Sequence, residues 1–386
     1  MHIAWIGKKS PFCGNVTYGR EITNALLERG YRVTFLHFAS DTESADEHVG
    51  YEEVSLPFIF KSQILIIPSF RSARRLAEVL ADLKPDLVHA SLSLSPLDFK
   101  LPEICHELGI PLVATFHPAF DRKRRNLTSG TQHFTYQVYA PRLANYDQVI
   151  VFSRMQQELL AKLGVPLERI SVIPNGVNVY RYSPGPSHIK QEFRAEQIYV
   201  YQGRLAIEKN VDSMLKGWKL ANMGPNNKLL IVGSGPLEMA LKTSYGADDT
   251  VIWLGFIADE RRRIEILQGA DAFILPSLVE GLSLSLLEAM ACGAACFATD
   301  AGADGSVLED GAGVVIDTQR VAQQLHTILP LLRNHPEMLS ILSSKARQRV
   351  LERYTLGKNI TQLENLYARM VPSKARYSIP KQVSWI

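Results

Sequence analysis

Residues 275–293 read LPSLVEGLSLSLLEAMACG, and this stretch decides the fold of the second half of the chain. The apolar run from Ala272 to Leu275 predicts a buried strand, which ends at the proline and serine that follow. The leucines, alanines and methionine after residue 283 predict a helix, and Gly293 is typical of a helix C-terminus. The stretch therefore predicts a strand, a turn and a helix of an α/β fold.

The turn and the helix carry two glutamates, Glu280 and Glu288, with seven residues between them. We place Glu280 in the turn and Glu288 about two turns inside the helix. The backbone amides of Gly281, Leu282 and Ser283 are predicted to open the helix, where free N–H groups and the positive end of the helix dipole favour an anion. For an isolated pair, glutamates that complement a dipole or cover a solvated helix face are the more common explanation.

The composition is that of an ordinary globular protein, long enough for two domains. Of the 386 residues, 46% are hydrophobic and 21% charged, and the net charge of +3 gives no reason to expect a nucleic-acid partner. The four scattered cysteines lack the partners of a zinc site. The first residues predict a strand rather than a cleavable leader, and no apolar run approaches the ~20 residues needed to span a bilayer. We therefore expect a cytoplasmic protein whose membrane contacts are at most peripheral.

A second cluster of candidate residues follows a strand predicted at residues 198–202. Gly203 permits a close approach of the backbone to a ligand, and Arg204 and Lys209 can each place a cation on a diphosphate. Two surface cations around a turn are the alternative explanation for either residue alone. Glycines also follow the strand that starts at Lys228, but Glu238 stands where a dinucleotide fingerprint needs its third glycine, which excludes a nicotinamide enzyme.

The first half opens with a predicted strand, loop, helix and strand, the pattern of a parallel βαβ unit. Gly14 and Asn15 lie in the predicted loop, residues 8–18, which could bring backbone amides near a phosphate. His117 ends a further strand, predicted at residues 110–117. Ligands gather at the carboxyl ends of strands in an open parallel sheet, so His117 is a stronger functional candidate than an isolated histidine usually is.

Residues 58–75 mix bulky apolar side chains with basic ones, namely Lys61, Arg71, Arg74 and Arg75. This mixture is typical of a segment that contacts an anionic membrane surface. It is equally compatible with residues 64–67 buried under the sheet and with arginines on the wet side of a core helix that runs to Leu83. A second basic run follows His117, and it is either a solvated loop or a contact for anionic lipid or a polar acceptor head group. Its members are Arg122, Lys123, Arg124 and Arg125.

Taken in order, these segments resemble those of retaining glycosyltransferases of family 4, which have the GT-B fold. The resemblance rests on the two glutamates, on Gly203-Arg204-Leu205 with Lys209, and on the sequence VIPNGVN at residues 172–178. It implies two Rossmann-like α/β domains that face each other across a cleft. Residues 1–182 would bind the acceptor, residues 183–358 would bind the nucleotide-sugar, and residues 359–386 would form a helix and tail that cross back to the first domain.

The resemblance also implies a role for each candidate residue. Glu280 and His117 would orient the donor sugar, and Glu288 would hold the ribose hydroxyls of a UDP-sugar. Arg204 and Lys209 would stabilise the departing diphosphate, which itself takes the acceptor proton, so no metal or other cofactor is expected. The predicted catalytic residues are His117, Glu280, Arg204 and Lys209. The predicted donor-binding residues are Gly14, Gly203, Arg204, Lys209, Glu280, Gly281, Leu282, Ser283, Leu284 and Glu288.

The acceptor is predicted from the two basic segments and from residues 7–18, which resemble the corresponding loop of cyanobacterial digalactosyldiacylglycerol synthases. This resemblance implies UDP-galactose as the donor and monogalactosyldiacylglycerol as the acceptor, at the cytoplasmic face of a membrane. The residues expected to contact the acceptor or the membrane are Asn15, Lys61, Arg71, Arg74, Arg75 and the second basic run. The alternatives are a soluble family 4 enzyme of polysaccharide or small-glycoside synthesis and a non-catalytic nucleotide-sugar binding protein.

Overall fold

A computed structural model describes residues 1–10, 13–38, 52–62, 65–120 and 127–371 of the chain. The chain divides into two compact units. The first comprises Met1–Pro118, Phe134–Pro174 and the chain from Gly357 onward, and the second comprises Ala119–His133 and Asn175–Leu356. Within the described ranges, no helix is both long and apolar enough to cross a membrane.

The first unit is built on a seven-stranded parallel sheet, and an antiparallel pair, β4 and β5, stands apart from it. The strands are β1 (His2–Gly7), β2 (Arg32–His37), β3 (Glu52–Ser55), β4 (Phe58–Lys61), β5 (Ile66–Pro68), β6 (Leu87–Ser91), β7 (Leu112–Thr115), β8 (Gln148–Val151) and β9 (Ile170–Val172). The sheet order is β3-β2-β1-β6-β7-β8-β9. Its central strands are buried almost throughout, as parallel strands covered on both faces are.

The second unit is built on a six-stranded parallel sheet in the order β12-β11-β10-β13-β14-β15. Its strands are β10 (Gln197–Gln202), β11 (Asn227–Val232), β12 (Val251–Gly255), β13 (Ala272–Leu275), β14 (Ala295–Thr299) and β15 (Val314–Ile316). The strand predicted from Ala272 to Leu275 is thus confirmed, and so is the expectation of two parallel α/β units.

The helices, numbered along the whole chain, connect these strands or follow them. They are α1 (Gly14–Glu28), α2 (Ser72–Leu83), α3 (Leu101–Glu107), α4 (Leu127–Leu143), α5 (Arg154–Lys162), α6 (Ile189–Glu192), α7 (Val211–Ala221), α8 (Glu238–Tyr245), α9 (Glu260–Gln268), α10 (Leu284–Cys292), α11 (Asp304–Leu308), α12 (Val321–Asn334), α13 (Pro336–Arg353) and α14 (Leu356–Met370). Gly293 ends α10 with a φ of +86°, the left-handed conformation expected of a glycine C-cap.

The first helix begins earlier than the sequence predicts. Thr17 N donates to Cys13 O at 3.1 Å, and this bond starts α1 at Gly14 instead of residue 19. Gly14 and Asn15 are therefore the first two residues of a helix that follows β1 and are not loop residues. Both still lie at the carboxyl end of the sheet, where ligands of such folds bind.

The units divide at Pro174 and Asn175, before the boundary predicted at residue 182. Hydrogen bonds explain the difference, because Val177 N donates to Tyr354 O at 2.9 Å and Leu356 N donates to Val177 O at 2.8 Å. These bonds hold the connecting segment against the end of α13, within the second unit.

The last helix belongs to the first unit from Gly357 onward. Arg29, at the end of α1, forms a salt bridge with Glu364 and donates to Gly357 O at 3.0 Å. Tyr367 OH lies 2.5 Å from His89 Nδ1 on β6. The expected return of the C-terminal helix to the first domain is therefore observed for residues up to 371, and the predicted tail beyond lies outside the described residues.

The structure agrees only in part with the core interpretation of residues 58–75. A core helix does run from Ser72 to Leu83, with Arg74 and Arg75 on its exposed side. Before that helix, however, only Ile66 is buried among the described residues of the segment expected under the sheet, since Leu65 and Ile67 are 37% and 38% exposed. The predicted core helix is therefore present, whereas most of the hairpin formed by β4 and β5 is not buried as the core interpretation requires.

Candidate active site

In the second unit, the predicted donor residues meet at the carboxyl ends of neighbouring strands. Gly203 and Arg204 follow β10, Lys209 ends the short turn Ile207–Lys209, and Glu280 lies in the turn after β13. Leu278 N donates to Glu208 O at 2.8 Å and joins the two loops. This edge of an open parallel sheet is where ligands bind.

The glycines on either side of Ser234 pack against the backbone that follows β10. A Cβ atom on Gly233, whose φ is +129°, would lie 2.0 Å from Gly203 O, and one on Gly235 would lie 2.4 Å from Leu205 O. No side chain fits such approaches, so glycine is required at both positions. The turn after β11 therefore fixes the backbone of the Gly203 loop, a role for which the sequence analysis assigned no site residue.

Two cations stand on this edge, each beside a carboxylate. Arg204 forms a salt bridge with Glu208, and Lys209 forms one with Glu280. The Arg204 and Lys209 side chains remain 30% and 22% exposed, so a ligand can reach both. Tyr201 OH donates to Arg204 O at 2.8 Å and holds the backbone of the arginine in place. The arrangement is suited to binding a diphosphate with two cations.

Glu280 is held at the base of this site. Ser277 Oγ donates to its Oε1 at 2.7 Å, and the Lys209 ammonium contacts the same oxygen. The backbone is fixed as well, because Phe120 N donates to Glu280 O at 2.8 Å. Both hydrogen bonds found within the described ranges use Oε1, which leaves Oε2 as an acceptor for a ligand hydroxyl.

The amides before α10 only partly match the prediction. The helix begins at Leu284, with Ser283 as its N-cap, and Ser283 N already donates to Asp304 Oδ1 at 2.9 Å. Ser283 N is therefore not available to an anion. The amides of Gly281, Leu282 and Leu284 make no hydrogen bond within the part of the chain that the structure describes, and these three can still bind a phosphate oxygen.

Asp304 is a site residue that the sequence analysis missed. It is 1% exposed, and its Oδ2 has no hydrogen-bond partner within the described ranges. Burial, and then the nearby negative charge of Glu280, raise the pKa of Asp304 well above its ordinary value. Through its bond to Ser283 N, Asp304 fixes the turn after Glu280. An aspartate after a strand, among glycines, gives no sequence signal of this role.

Glu288 lies on α10 beside the end of β10. Gln202 Nε2 donates to its Oε2 at 3.0 Å. Burial, and then the nearby negative charge of Glu288, raise the pKa of Tyr182. Because the helix starts at Leu284, Glu288 is one turn inside it and not two. Gln202, which orients the carboxylate, was not predicted.

In the first unit, three polar side chains form a hydrogen-bonded row at the ends of β6, β7 and the start of α1. Asn15 Nδ2 donates to Leu92 O at 2.9 Å, so its Oδ1 faces Ser91 Oγ, 2.7 Å away. Ser91 Oγ also lies 2.8 Å from His117 Nε2. The structure therefore brings Asn15 and His117, which the sequence placed in different segments, into one network.

Counting hydrogens in this row assigns the tautomer of His117. An amide oxygen only accepts, so the Ser91 hydroxyl donates its one hydrogen to Asn15. His117 Nε2 must then carry a hydrogen and donate to Ser91. Burial, and then the nearby Lys8, lower the pKa of His117 to about 3, although the residue as a whole is only half-buried. Neutral His117 consequently presents Nδ1 as an acceptor.

We expect Asn15→Ala to release this tautomer. Without the amide oxygen, the Ser91 hydroxyl is free to donate to Nε2, and a hydrogen bond worth about 1 kcal/mol no longer favours the Nε2–H form. Long-range ¹⁵N–¹H NMR of histidine-labelled protein, assigned with a His117→Gln variant, should show Nε2–H alone in the parent and a mixture in Asn15→Ala. Asn15→Asp, whose oxygens both accept, should keep Nε2–H. An Nδ1–H form in the parent would contradict the assignment.

The remaining predicted residues are placed as follows. A Cβ on Gly14 would meet nothing within 4 Å, so no contact requires glycine there. The Lys61 ammonium turns back to Ser10 Oγ at 2.5 Å and Phe38 O at 3.3 Å, inside the first unit. Arg71, Arg74 and Arg75 are exposed. The run from Arg122 to Arg125 lies outside the described residues.

Comparison with known families assigns both halves of the chain. Residues 14–181 match the model of Glycosyltransferase Family 4, and residues 187–349 match that of Glycosyl transferases group 1. Together the two matches span most of the chain.

Individual relatives agree with these matches. The chain is 26% identical, over 81% of its length and 82% of the relative, to UDP-Gal:alpha-D-GlcNAc-diphosphoundecaprenol alpha-1,3-galactosyltransferase of Escherichia coli. It has the fold of sucrose-phosphate synthase from Thermosynechococcus elongatus, with a TM-score of 0.76, 22% identity and coverage of 95% and 98% of the two chains. Anabaena HepE in complex with UDP-glucose gives a TM-score of 0.75, 17% identity and coverage of 96% and 100%. The chain is therefore a glycosyltransferase of the GT-B fold, with a Glycosyltransferase Family 4 domain followed by a group 1 glycosyl transferase domain.

Proposed function

We propose that this glycosyltransferase moves a galactosyl or glucosyl unit from a UDP-sugar to a hydroxyl of a membrane glycolipid, with retention of configuration. The observation that carries the proposal is the pair of accessible cations, Arg204 and Lys209, beside the amides of Gly281, Leu282 and Leu284 at one strand edge. Cations and free amides at one edge match the charge of a nucleotide diphosphate. HepE binds UDP-glucose, and the E. coli relative is named for UDP-galactose.

The chemistry of the proposed reaction needs little from the protein beyond charge and orientation. The bond from C1 of the sugar to the diphosphate oxygen breaks, and the acceptor oxygen bonds to C1 on the same face. The acceptor proton passes to the departing diphosphate oxygen. Arg204 and Lys209 stabilise the charge that builds on the diphosphate, and we propose that no metal ion is required for this step.

Orientation of the sugar is assigned to Glu280 and His117. Glu280 Oε2 and His117 Nδ1 are both acceptors, and each suits a sugar hydroxyl as donor. The restraint on each acceptor comes from its own neighbours: Ser277 and Lys209 fix Glu280, and Ser91 fixes His117. Side chains fixed before the ligand binds lose little entropy on binding.

The lipid acceptor is supported by three observations. Residues 7–18 resemble cyanobacterial digalactosyldiacylglycerol synthases, which favours monogalactosyldiacylglycerol as acceptor and digalactosyldiacylglycerol as product. The acceptor in the name of the E. coli relative is a diphosphoundecaprenol-linked sugar. The first unit also exposes apolar residues next to arginines, as expected of an enzyme that works peripherally at a membrane.

Transfer of label tests this proposal. Radiolabelled UDP-galactose and UDP-glucose are incubated separately with the enzyme and a polar lipid extract, with and without EDTA, and lipids are resolved by chromatography. We expect a labelled diglycosyl lipid from one donor, formed equally well with EDTA. Label found only in water-soluble saccharides would overturn the lipid acceptor and favour the soluble family 4 alternative. Tight UDP binding without any turnover would favour a nucleotide-sugar binding protein.

Glu288→Gln should weaken donor binding without slowing chemistry. The ribose is remote from the reacting bond, so its hydrogen bonds contribute about equally to the ground and transition states. Loss of charge-assisted hydrogen bonds worth about 1.5–3 kcal/mol should raise the donor KM by about 10–100-fold at nearly constant kcat. The sharper readout is inhibition: the parent should bind UDP better than 2′-deoxy-UDP, and the variant should bind the two alike. A variant that still discriminates between them would remove Glu288 from the ribose site. Glu337→Gln, on an exposed face of α13, is the control.

A further inference from the structure

We propose that the hairpin of β4 and β5, with the start of α2, inserts into the interface of an anionic lipid bilayer. The insertion surface is defined by apolar Ile59, Phe60, Ile67 and Phe70 and basic Arg71, Arg74 and Arg75. The inference rests on the proposed lipid acceptor and goes beyond it, because it names the surface that brings the enzyme to that acceptor.

The apolar members of this surface are exposed to an extent unusual for their type. Ile59 is 61% exposed, Phe60 51%, Ile67 38% and Phe70 98%. Phe60 and Ile67 are cross-strand partners, so they form one continuous apolar area. An exposed cluster of large apolar side chains marks an interaction site rather than ordinary surface.

The combination of exposed apolar side chains and adjacent arginines favours a bilayer over a protein partner. The pairing of β4 with β5 shifts register between Phe58 and Phe60, so a β-bulge lies at Ile59, and both Ile59 and Phe60 are more than half exposed. Immersion in the boundary between head groups and acyl chains covers these side chains together with Ile67 and Phe70, and amphipathic segments bind there.

The basic residues of the insertion surface favour an anionic lipid. Arg71, Arg74 and Arg75 follow Phe70 directly. The exposed acids on α2 are Glu78, which lies 2.9 Å from Arg74 and 3.9 Å from Arg75, and Asp82. The surface therefore keeps a net positive charge at the level where lipid phosphates would lie. Basic residues next to inserted apolar ones are attracted by the negative surface potential of anionic membranes.

Both ends of the hairpin are attached to the rest of the first unit. Next to its turn, Ile66 is buried and Lys61 is bound to Ser10 and Phe38, and at the other end Ser72 Oγ donates to Pro57 O at 2.5 Å. The apolar surface between these attachments can enter the bilayer interface without loss of the fold. Lys61, which the sequence analysis assigned to membrane contact, therefore serves as an anchor for the hairpin and is left out of the insertion surface.

Vesicle binding and depth-dependent quenching test the inference with the full chain. Phe60→Trp is mixed with phosphatidylglycerol–phosphatidylcholine vesicles that carry brominated acyl chains, and Met239→Trp, 79% exposed in the second unit, is the matched control. We expect bromine to quench the introduced tryptophan in Phe60→Trp and not in Met239→Trp. Vesicles of phosphatidylcholine alone, or high salt, should weaken binding strongly.

Substitutions then test the insertion surface itself. Phe60→Ser with Phe70→Ser should lower sedimentation with anionic vesicles by tenfold or more, and each of Arg71→Gln, Arg74→Gln and Arg75→Gln by about fivefold. Met239→Ser should change nothing. The inference is overturned if the serine variants bind vesicles like the parent, or if they lose only self-association, which would make the surface an interface between copies of this chain.

Failure of the inference and failure of the proposed function give different results. Variants of the insertion surface should still bind UDP and transfer sugar to a detergent-dispersed glycolipid at the parent rate. A parent that transfers to dispersed glycolipid but ignores vesicles overturns the inference and keeps the lipid acceptor. A parent that does neither overturns both.

Discussion

Arg204→Ala should lower kcat/KM for the nucleotide-sugar by about 10²–10³-fold, the effect expected when a preorganised donor to a developing oxyanion is removed. The loss should appear mainly in kcat, because the charge on the diphosphate grows as the sugar leaves. The fold should be little affected. Arg204 and Glu208 form a partly exposed pair, and pairs of this kind contribute about 0–1 kcal/mol. Steady-state kinetics with both UDP-sugars, together with thermal unfolding, measure the two effects separately.

Glu208→Gln is the matched control for Arg204. It removes the carboxylate that contacts the guanidinium but keeps the backbone carbonyl that accepts from Leu278 N. We expect donor turnover close to that of the parent, since the arginine that acts on the diphosphate remains. If Arg204→Ala kept parent activity, or if Glu208→Gln abolished it, the arginine would have a structural role and the assignment of the diphosphate site would be wrong.

Lys209→Met should be costly both to catalysis and to stability. It removes the second cation, with an expected loss in kcat/KM of about 10²–10³-fold. It also leaves Glu280, only 8% exposed, without its charged partner. Removing one member of a buried ion pair costs about 3–5 kcal/mol. Chemical denaturation and steady-state kinetics of the purified variant measure the two losses.

A second substitution separates these two losses. In Lys209→Met with Glu280→Gln the buried charge is gone, and the amide oxygen still accepts from Ser277 Oγ. We expect stability to return to within about 1 kcal/mol of Glu280→Gln alone, with activity as low as in Lys209→Met. If the two stability changes simply added, the salt bridge would contribute nothing. If activity returned with stability, Lys209 would act through Glu280 alone.

The fold was largely predictable because apolar runs, glycines and prolines follow local rules. The stretch at residues 272–293 specifies a buried strand, a turn and a capped helix by composition alone, and the structure has each of them. The clustering of Arg204, Lys209 and Glu280 was also predictable, since all three follow parallel strands and the carboxyl ends of such strands share one edge.

What could not be predicted depends on contacts between distant residues. Asp304 Oδ1 accepts a hydrogen bond from Ser283 N, which lies 21 residues earlier in the chain, and no pattern in either segment indicates that bond. The start of α1 at Gly14 depends on one backbone hydrogen bond to Cys13. The tautomer of His117 depends on which end of the Asn15 amide faces Ser91, and only the bond to Leu92 O decides it. Sequence reasoning located Gly14, Asn15 and His117 but not their partners, and it missed Asp304.

Proton NMR of the first-formed product decides whether the enzyme is a retaining, metal-independent lipid glycosyltransferase, with UDP-galactose or UDP-glucose as donor, monogalactosyldiacylglycerol in detergent as acceptor, and EDTA present. We expect one UDP released for each sugar transferred, an α-glycosidic bond as in the donor, and the same rate without the chelator. A β-linked product, or free sugar with no transfer from either donor, would contradict this expectation.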